Sequence, residues 1–121
     1  MKLPGPDHPI AIKPTPERVR VTFNGKIVAD SRRALVLQEA AYKPVFYIPR
    51  EDARMPLFAR TSHSTHCPYK GDASYYTIKV GDRSVENAIW SYETPFPAMQ
   101  EIEGRLAFYP NRVDKIEATP G

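Results

Sequence analysis

The residues best suited to chemistry lie in the segment 67–72, Cys-Pro-Tyr-Lys-Gly-Asp, which holds a thiol, a cation, a glycine and a carboxylate. A thiol becomes a nucleophile when a neighbouring cation or imidazole lowers its pKa, and both His66 and Lys70 are close to Cys67 in sequence. However, neighbouring residues on a strand point to opposite faces, so His66 need not face Cys67. A lone cysteine is more often a buried small apolar residue. Nucleophilic chemistry is therefore the weaker interpretation of this segment.

The pair Lys70-Gly71 is the better candidate for a functional site in this segment, as a turn that binds an anionic group. Glycine lets the backbone adopt a positive φ or approach a ligand closely, and a lysine can hold a phosphate or carboxylate as a point charge. The spacing is not that of a P-loop, because the pattern Gly-x-x-x-x-Gly-Lys-Ser/Thr is absent. The competing interpretation is a tight turn that carries a solvated lysine.

A metal site is a third interpretation of the same region. His63, His66, Cys67 and Asp72 are side chains that zinc accepts as ligands. Structural zinc sites usually combine two ligand pairs, and the chain has a single cysteine. We therefore predict no metal and no cofactor. The alternative to a metal site is a loop whose histidines are hydrogen-bonded.

Aromatic and polar residues gather at the ends of the predicted strands, where a ligand pocket could form. Tyr and Trp combine apolar bulk with a polar tip, which suits such a pocket as well as the rim of a small core. Arg50 follows the corner at Pro49 and is a candidate contact for an anion, while Asn87 lies within a strand, where a buried amide needs a partner. We expect the following side chains to converge on one cleft: Tyr47, Arg50, Cys67, Lys70, Tyr75, Asn87, Trp90 and Tyr109.

The elements that would position these residues are mostly strands. Residues 18–23 alternate charged or polar with apolar side chains, which is the period of a half-buried strand. Asn24-Gly25 follows, and both positions of a two-residue hairpin turn favour these residue types because they tolerate a positive φ. The sequence therefore predicts a hairpin, with residues 26–30 as the returning strand.

Further strands and one helix complete the predicted fold. The thirteen prolines leave little room for long helices. Pro97 and Gly104 favour one short helix over 97–103. The fold class is therefore mostly β, with compact antiparallel sheets arranged as a sandwich, a barrel or a bent pair of sheets. The other predicted strands are 10–13, 34–40 (ambiguous with a helix), 45–48, 55–58, 74–80, 83–92, 106–109 and 114–117.

Length and charge limit the classes of protein that need consideration. A chain of 121 residues predicts one domain, 1–121, with a Pro-rich arm at 1–9 and a frayed tail at 118–121. The net charge of +3 comes without a basic run, which makes nucleic acid a poor candidate partner. A single cysteine excludes an intrachain disulfide, and no signal peptide or membrane-length apolar run is evident. We expect a soluble, cytoplasmic protein without a membrane partner.

Seven segments together carry a family resemblance: 4–10, 18–21, 29–34, 45–52, 65–76, 86–92 and 106–114. On these segments the chain resembles the DUF427 family, whose function is unknown and which is sometimes labelled nucleotidyltransferase-like. The resemblance implies a compact, mostly antiparallel β fold with one short helix near the C-terminus. The residues themselves do not support the nucleotidyltransferase label, because no Gly-Ser followed by paired acidic residues is present to hold catalytic metal ions.

Three functions are compatible with these observations. The first is a cleft that binds a small molecule, anionic or nucleotide-like, near residues 67–72. The second is a non-catalytic interaction module, such as a homodimer. The third is a cysteine- or metal-dependent enzyme. The sequence does not say whether the protein is an enzyme, and it gives no substrate.

Overall fold

The computed structural model describes all residues, 1–121, and shows ten strands in three antiparallel sheets. The strands are β1 (Ile10–Pro14), β2 (Glu17–Phe23), β3 (Lys26–Ser31), β4 (Leu35–Glu39), β5 (Val45–Tyr47), β6 (Phe58–Cys67), β7 (Gly71–Val80), β8 (Arg83–Ser91), β9 (Ala107–Phe108) and β10 (Lys115–Pro120). Two of the sheets have three strands, in the orders β1-β4-β5 and β10-β2-β3, and the third has the order β6-β7-β8-β9. The mostly β, antiparallel fold expected from the sequence is confirmed, and no closed barrel forms.

The predicted hairpin is confirmed as β2 and β3. Asn24 and Gly25 both adopt a positive φ, 49° and 77°, as the two-residue turn requires. Val19, Val21 and Phe23 point to one face and are fully buried, as the alternation of the sequence predicts.

The ambiguous segment 34–40 is a strand. Its central part, β4, pairs with both β1 and β5, and Leu35 lies opposite Tyr47. Leu35 and Leu37 are buried on the same face, which fits a period of two rather than the period of a helix.

The four-stranded sheet has a hydrophobic cluster on each face. Neighbouring residues of β7 divide between the clusters, because Tyr75 belongs to the cluster with Leu35 and Leu37 and Tyr76 to the cluster with Val19 and Val21. Since neighbouring residues on a strand point to opposite faces, the sheets β1-β4-β5 and β10-β2-β3 pack on opposite faces of β6-β7-β8-β9.

The helix predicted over 97–103 is a shorter and tighter element. Pro97–Ile102 forms 3-10 turns, and Met99 departs from helical dihedrals with φ −112° and ψ 17°. Two further 3-10 turns lie at Arg50–Asp52 and Met55–Leu57, so the short strand predicted over 55–58 is wrong except at Phe58, which begins β6. No helix of the structure is long and apolar enough to cross a membrane.

Both ends of the chain are docked. The expectation of a frayed tail is wrong for residues 118–120, because Ala118 pairs with Val19 and Pro120 with Glu17 in the ladder of β10 and β2. In the structure, the Lys2 N–H donates to the Pro68 carbonyl at 2.7 Å. The arm therefore lies against the segment 67–72.

Gly71 begins β7 in a conformation that other residues rarely adopt, with φ 108°. A β-carbon at this position would also come within 3.5–3.6 Å of backbone atoms of Thr94, Pro95 and Phe96. The Lys70 carbonyl accepts a hydrogen bond from the Phe96 N–H at 3.0 Å, which holds this segment in place.

We expect Gly71→Ala to lower the free energy of unfolding by about 1–3 kcal/mol, because a β-carbon strains a positive φ. Urea unfolding measures this loss. Gly5→Ala is the control, since a β-carbon there meets nothing within 4 Å, and we expect a change below about 1 kcal/mol. Equal stability of Gly71→Ala and the unmodified protein would contradict the proposed backbone constraint.

Candidate functional site

A cavity of about 260 Å³ lies beside the turn at Lys70 and is lined mainly by aromatic side chains. Five of the residues predicted to form the cleft line it, namely Tyr47, Lys70, Tyr75, Trp90 and Tyr109. Six further residues complete the lining: Leu37, Glu39, Tyr42, Lys43, Val45 and Tyr92.

The strand register brings the aromatic side chains together. Tyr75 on β7 lies directly opposite Trp90 on β8, and Trp90 pairs in turn with Ala107 on β9. The rings of Trp90 and Tyr109 have centroids 4.4 Å apart, and Tyr47 meets Trp90 edge-on at 6.4 Å. These are favourable aromatic arrangements, so the walls of the cavity are packed by their own contacts.

The polar tips of these rings are only partly used within the protein. The Trp90 Nε1–H donates to the Tyr47 hydroxyl oxygen at 3.3 Å. The Tyr75 hydroxyl lies 2.9 Å from Thr65 Oγ1 and 3.4 Å from the Tyr109 hydroxyl. Burial, together with the neighbouring Tyr75 hydroxyl, raises the pKa of Tyr109 to about 12. Tyr109 is therefore a neutral phenol at physiological pH.

Lys70 is buried, with 7% of its surface exposed, so the interpretation of a solvated lysine on a tight turn is wrong. Its ammonium group donates to a carboxylate oxygen of Glu39 at the end of β4, and it also lies 3.7 Å from Cys67 Sγ. The charge of Lys70 is thus compensated inside the protein. The sequence had suggested Lys70 as a free cation for an anionic ligand, and the ion pair with Glu39 contradicts this suggestion.

Glu39 is the carboxylate on which this arrangement depends. Its second oxygen accepts a hydrogen bond from His8 Nε2 at 2.7 Å when that nitrogen carries the proton. Burial by itself raises the pKa of Glu39, but hydrogen bonds from Lys70 and His8 outweigh it and hold the pKa below the ordinary value. Glu39 is therefore ionised at neutral pH.

The N-terminal arm extends this polar cluster to the surface. The His8 ring stacks on Tyr69 with centroids 4.2 Å apart, and the Ala40 N–H donates to the Pro9 carbonyl at 2.8 Å. These two contacts, with Tyr69 and with Ala40, hold the arm next to Glu39.

Cys67 lies beside Lys70 but not in the wall of the cavity. It is half-buried and packs against the hydrophobic cluster that contains Tyr75. His66 does not face it, because His66 Nδ1 is paired with Asp72 at 2.7 Å on the exposed surface. His63 meets the Tyr75 ring instead, and no group of three or more His, Cys, Asp or Glu side chains is arranged to hold a metal ion.

Arg50 lies outside the cavity, contrary to the expectation that it shares the cleft. Its guanidinium donates to the Gly104 carbonyl at 2.5 Å, to the Tyr76 hydroxyl at 3.1 Å and to Glu93 at 3.0 Å. Because Tyr76 points to the opposite face of the sheet from Tyr75, Arg50 belongs to the other side of the molecule. Its donors are used to hold the chain near Glu93.

Asn87 is also absent from the cavity wall. It adopts a positive φ of 52°, at an irregularity in the pairing of β7 with β8. Its side-chain oxygen accepts from Thr61 Oγ1 at 2.7 Å, and its backbone carbonyl accepts from Arg112 at 2.7 Å. Asn87 therefore pairs its side-chain oxygen at a backbone bend, where asparagine tolerates a left-handed conformation.

The side chains predicted to form the cleft did not include Glu39, Tyr42, Lys43 or Tyr92. A signal existed for Tyr92, which ends the same predicted strand as Trp90. No local pattern marks Glu39, because its partner Lys70 is 31 residues away.

The fold and the cavity define a small antiparallel β protein with an aromatic-lined pocket between its sheets. The chain belongs to the DUF427 family, because the model of this family, described as a domain of unknown function, matches residues 11–119. The resemblance stated from the sequence is thereby confirmed. No curated protein matches the chain.

We expect Glu39→Gln to lower the free energy of unfolding by about 3 kcal/mol at pH 7, because it leaves the Lys70 ammonium buried without its carboxylate. The folded-state pKa of Glu39 is lowered from its ordinary value of 4.5, so its stabilisation is complete above about pH 4.5 and is lost as the pH falls through the folded-state pKa. Urea unfolding at several pH values should therefore show the difference between the two proteins narrowing in acid.

The control for this prediction is Glu51→Gln, whose carboxylate is 73% exposed and 3.7 Å from Arg33. We expect it to change stability by less than about 0.5 kcal/mol. If Glu51→Gln lowered the free energy of unfolding as much as Glu39→Gln, the effect of Glu39→Gln could not be attributed to the buried ion pair with Lys70.

Arg50→Lys should lower the free energy of unfolding by about 1–3 kcal/mol, because a compact ammonium cannot reach Gly104, Tyr76 and Glu93 together. Arg32→Lys is the matched control, since Arg32 is exposed and makes no side-chain hydrogen bond. Chemical unfolding of both variants checks the prediction. Equal stability of the two would mean that the fork of Arg50 is dispensable.

Proposed function

We propose that this protein binds a small molecule whose planar ring enters the aromatic cavity and whose negatively charged group lies at the mouth. The observation that supports this proposal most directly is the common cavity of Tyr47, Lys70, Tyr75, Trp90 and Tyr109, residues that come from different parts of the chain. Rings of this kind offer large contact area with few rotatable bonds, which favours stacking on a planar ligand.

The size of the cavity restricts the ligand. Pockets for drug-sized ligands span roughly 300–1,000 Å³, and a cavity of about 260 Å³ lies just below that range. One ring system therefore fits inside, and the rest of a nucleotide-like molecule would extend from the mouth. The exposure of the lining residues supports this orientation of the ligand. Tyr47 is 1% exposed and marks the buried end of the cavity, whereas Tyr42 is 65% exposed and marks its mouth.

Lys43 is the cation suited to an anionic group. It lines the cavity, it is exposed, and its ammonium group has no salt bridge or hydrogen bond within the protein. Lys70, by contrast, is compensated by Glu39. The anion contact that the sequence assigned to Lys70 is therefore better placed on Lys43, where an exposed ammonium needs no other partner.

The test uses thermal-shift measurements with ring compounds that do or do not carry an anionic group: inosine and inosine 5′-monophosphate, and indole and indole-3-carboxylate. A ligand that binds only the native state raises the unfolding midpoint. We expect larger midpoint shifts from the anionic members, and Lys43→Ala should weaken their binding by about two- to fivefold, an effect that higher salt reduces.

Lys79→Ala is the control variant, because Lys79 is also exposed and unpaired but lies outside the cavity. It should bind the same compounds with unchanged affinity. The proposed function is wrong if no compound raises the midpoint, and the role of Lys43 is wrong if both lysine variants behave alike.

A further inference from the structure

We infer that the deep end of the cavity recognises a carbonyl oxygen on the ring of the ligand, through the hydroxyl groups of Tyr47 and Tyr92. This inference rests on the proposed function, since it specifies the chemistry of the same cavity. The inference is based on two buried phenol groups whose hydroxyl protons have no acceptor within the protein.

Tyr92 is the clearer of the two donors. It is 7% exposed and lines the cavity, yet its hydroxyl makes no hydrogen bond within the protein. Arg20 Nε is the one side-chain nitrogen or oxygen that is sealed from solvent without a partner. The Tyr92 hydroxyl therefore keeps some accessible surface, and the residue is part of the cavity lining.

Tyr47 supplies the second donor. It is 1% exposed, and its hydroxyl oxygen accepts the hydrogen bond from Trp90 Nε1. No acceptor within the protein receives its own proton. Buried polar groups are nearly always paired, so a cavity with two unused donors is suited to a ligand that brings an acceptor.

Both groups stay protonated. Burial raises the pKa of Tyr47 and of Tyr92 far above their ordinary range, and each is further disfavoured as an anion by the nearby Glu39. Both hydroxyls are therefore neutral donors at every physiological pH, and both residues line the cavity.

A neutral carbonyl suits this position better than a carboxylate. Lys70 lies in the same wall but is already paired with Glu39. A second carboxylate would add an uncompensated negative charge beside Glu39, and burying an unpaired charge is costly. A carbonyl oxygen accepts two hydrogen bonds without such a cost, which leaves the charged part of the ligand at the mouth beside Lys43.

The arrangement also predicts selectivity. A site that is built to hydrogen-bond a group discriminates strongly against an analogue that lacks it, because the buried donors then remain unpaired. Ring compounds of the same shape without the carbonyl should therefore bind more weakly.

Isothermal titration with two matched pairs of anionic ring compounds tests the inference. The first pair is inosine 5′-monophosphate and purine riboside 5′-monophosphate, which lacks the 6-oxo group. The second is 4-acetylbenzoate and 4-ethylbenzoate. We expect the carbonyl compound of at least one pair to bind about tenfold more tightly than its partner. Tyr92→Phe should remove that advantage and leave the affinity of the partner unchanged.

Tyr69→Phe is the control, because Tyr69 also makes no hydrogen bond through its hydroxyl but lies outside the cavity, stacked on His8. It should keep the tenfold preference. Equal affinities within both pairs, or a preference that survives in Tyr92→Phe, would overturn this inference and leave the proposed function standing. Failure of the unmodified protein to bind any of the four compounds would overturn this inference, and it would overturn the proposed function as well if none of the thermal-shift compounds raises the unfolding midpoint.

Discussion

The buried ion pair between Lys70 and Glu39 is the interaction on which the candidate site depends. Glu39 ends β4, and Lys70 precedes β7, so the pair joins the β1-β4-β5 sheet to the four-stranded sheet at the edge of the cavity. His8 binds the other carboxylate oxygen and attaches the N-terminal arm to the same point. A pair of opposite charges can be buried here because each receives further polar contacts, from His8 on one side and Cys67 on the other.

The two faces of the four-stranded sheet contribute to different features of the molecule. On one face, Tyr75 and Trp90 form the aromatic walls of the cavity. On the other, Tyr76 contacts Arg50 and Glu93 in a polar cluster that closes over the larger hydrophobic core. Burial raises the pKa of Glu93, but hydrogen bonds from Ser74 and Tyr76 and the nearby arginines outweigh it, so this cluster holds an ionised carboxylate. The cluster of Arg50, Tyr76 and Glu93 is therefore paired, while the cavity keeps unused donors.

This division explains which parts of the site were predictable. Aromatic residues at strand ends are readable from the sequence, and five of the eight chosen side chains do share one cavity. Arg50 and Asn87 were plausible by the same reasoning, but their surroundings use their polar groups elsewhere. The exposed strand β6 was also missed, because its small polar residues show no apolar alternation and its order comes from pairing with β7.

The sequence by itself determined the hairpin of β2 and β3, the antiparallel β class and the presence of a turn at Lys70-Gly71. These features follow from local causes: a period of two, residue types that tolerate a positive φ, and prolines that exclude long helices. Only the tertiary structure decided that Lys70 is buried against Glu39, and that Lys43 and Tyr92 join the cavity. The physical reason is that burial and charge pairing depend on the packing of sheets whose residues are far apart in the chain.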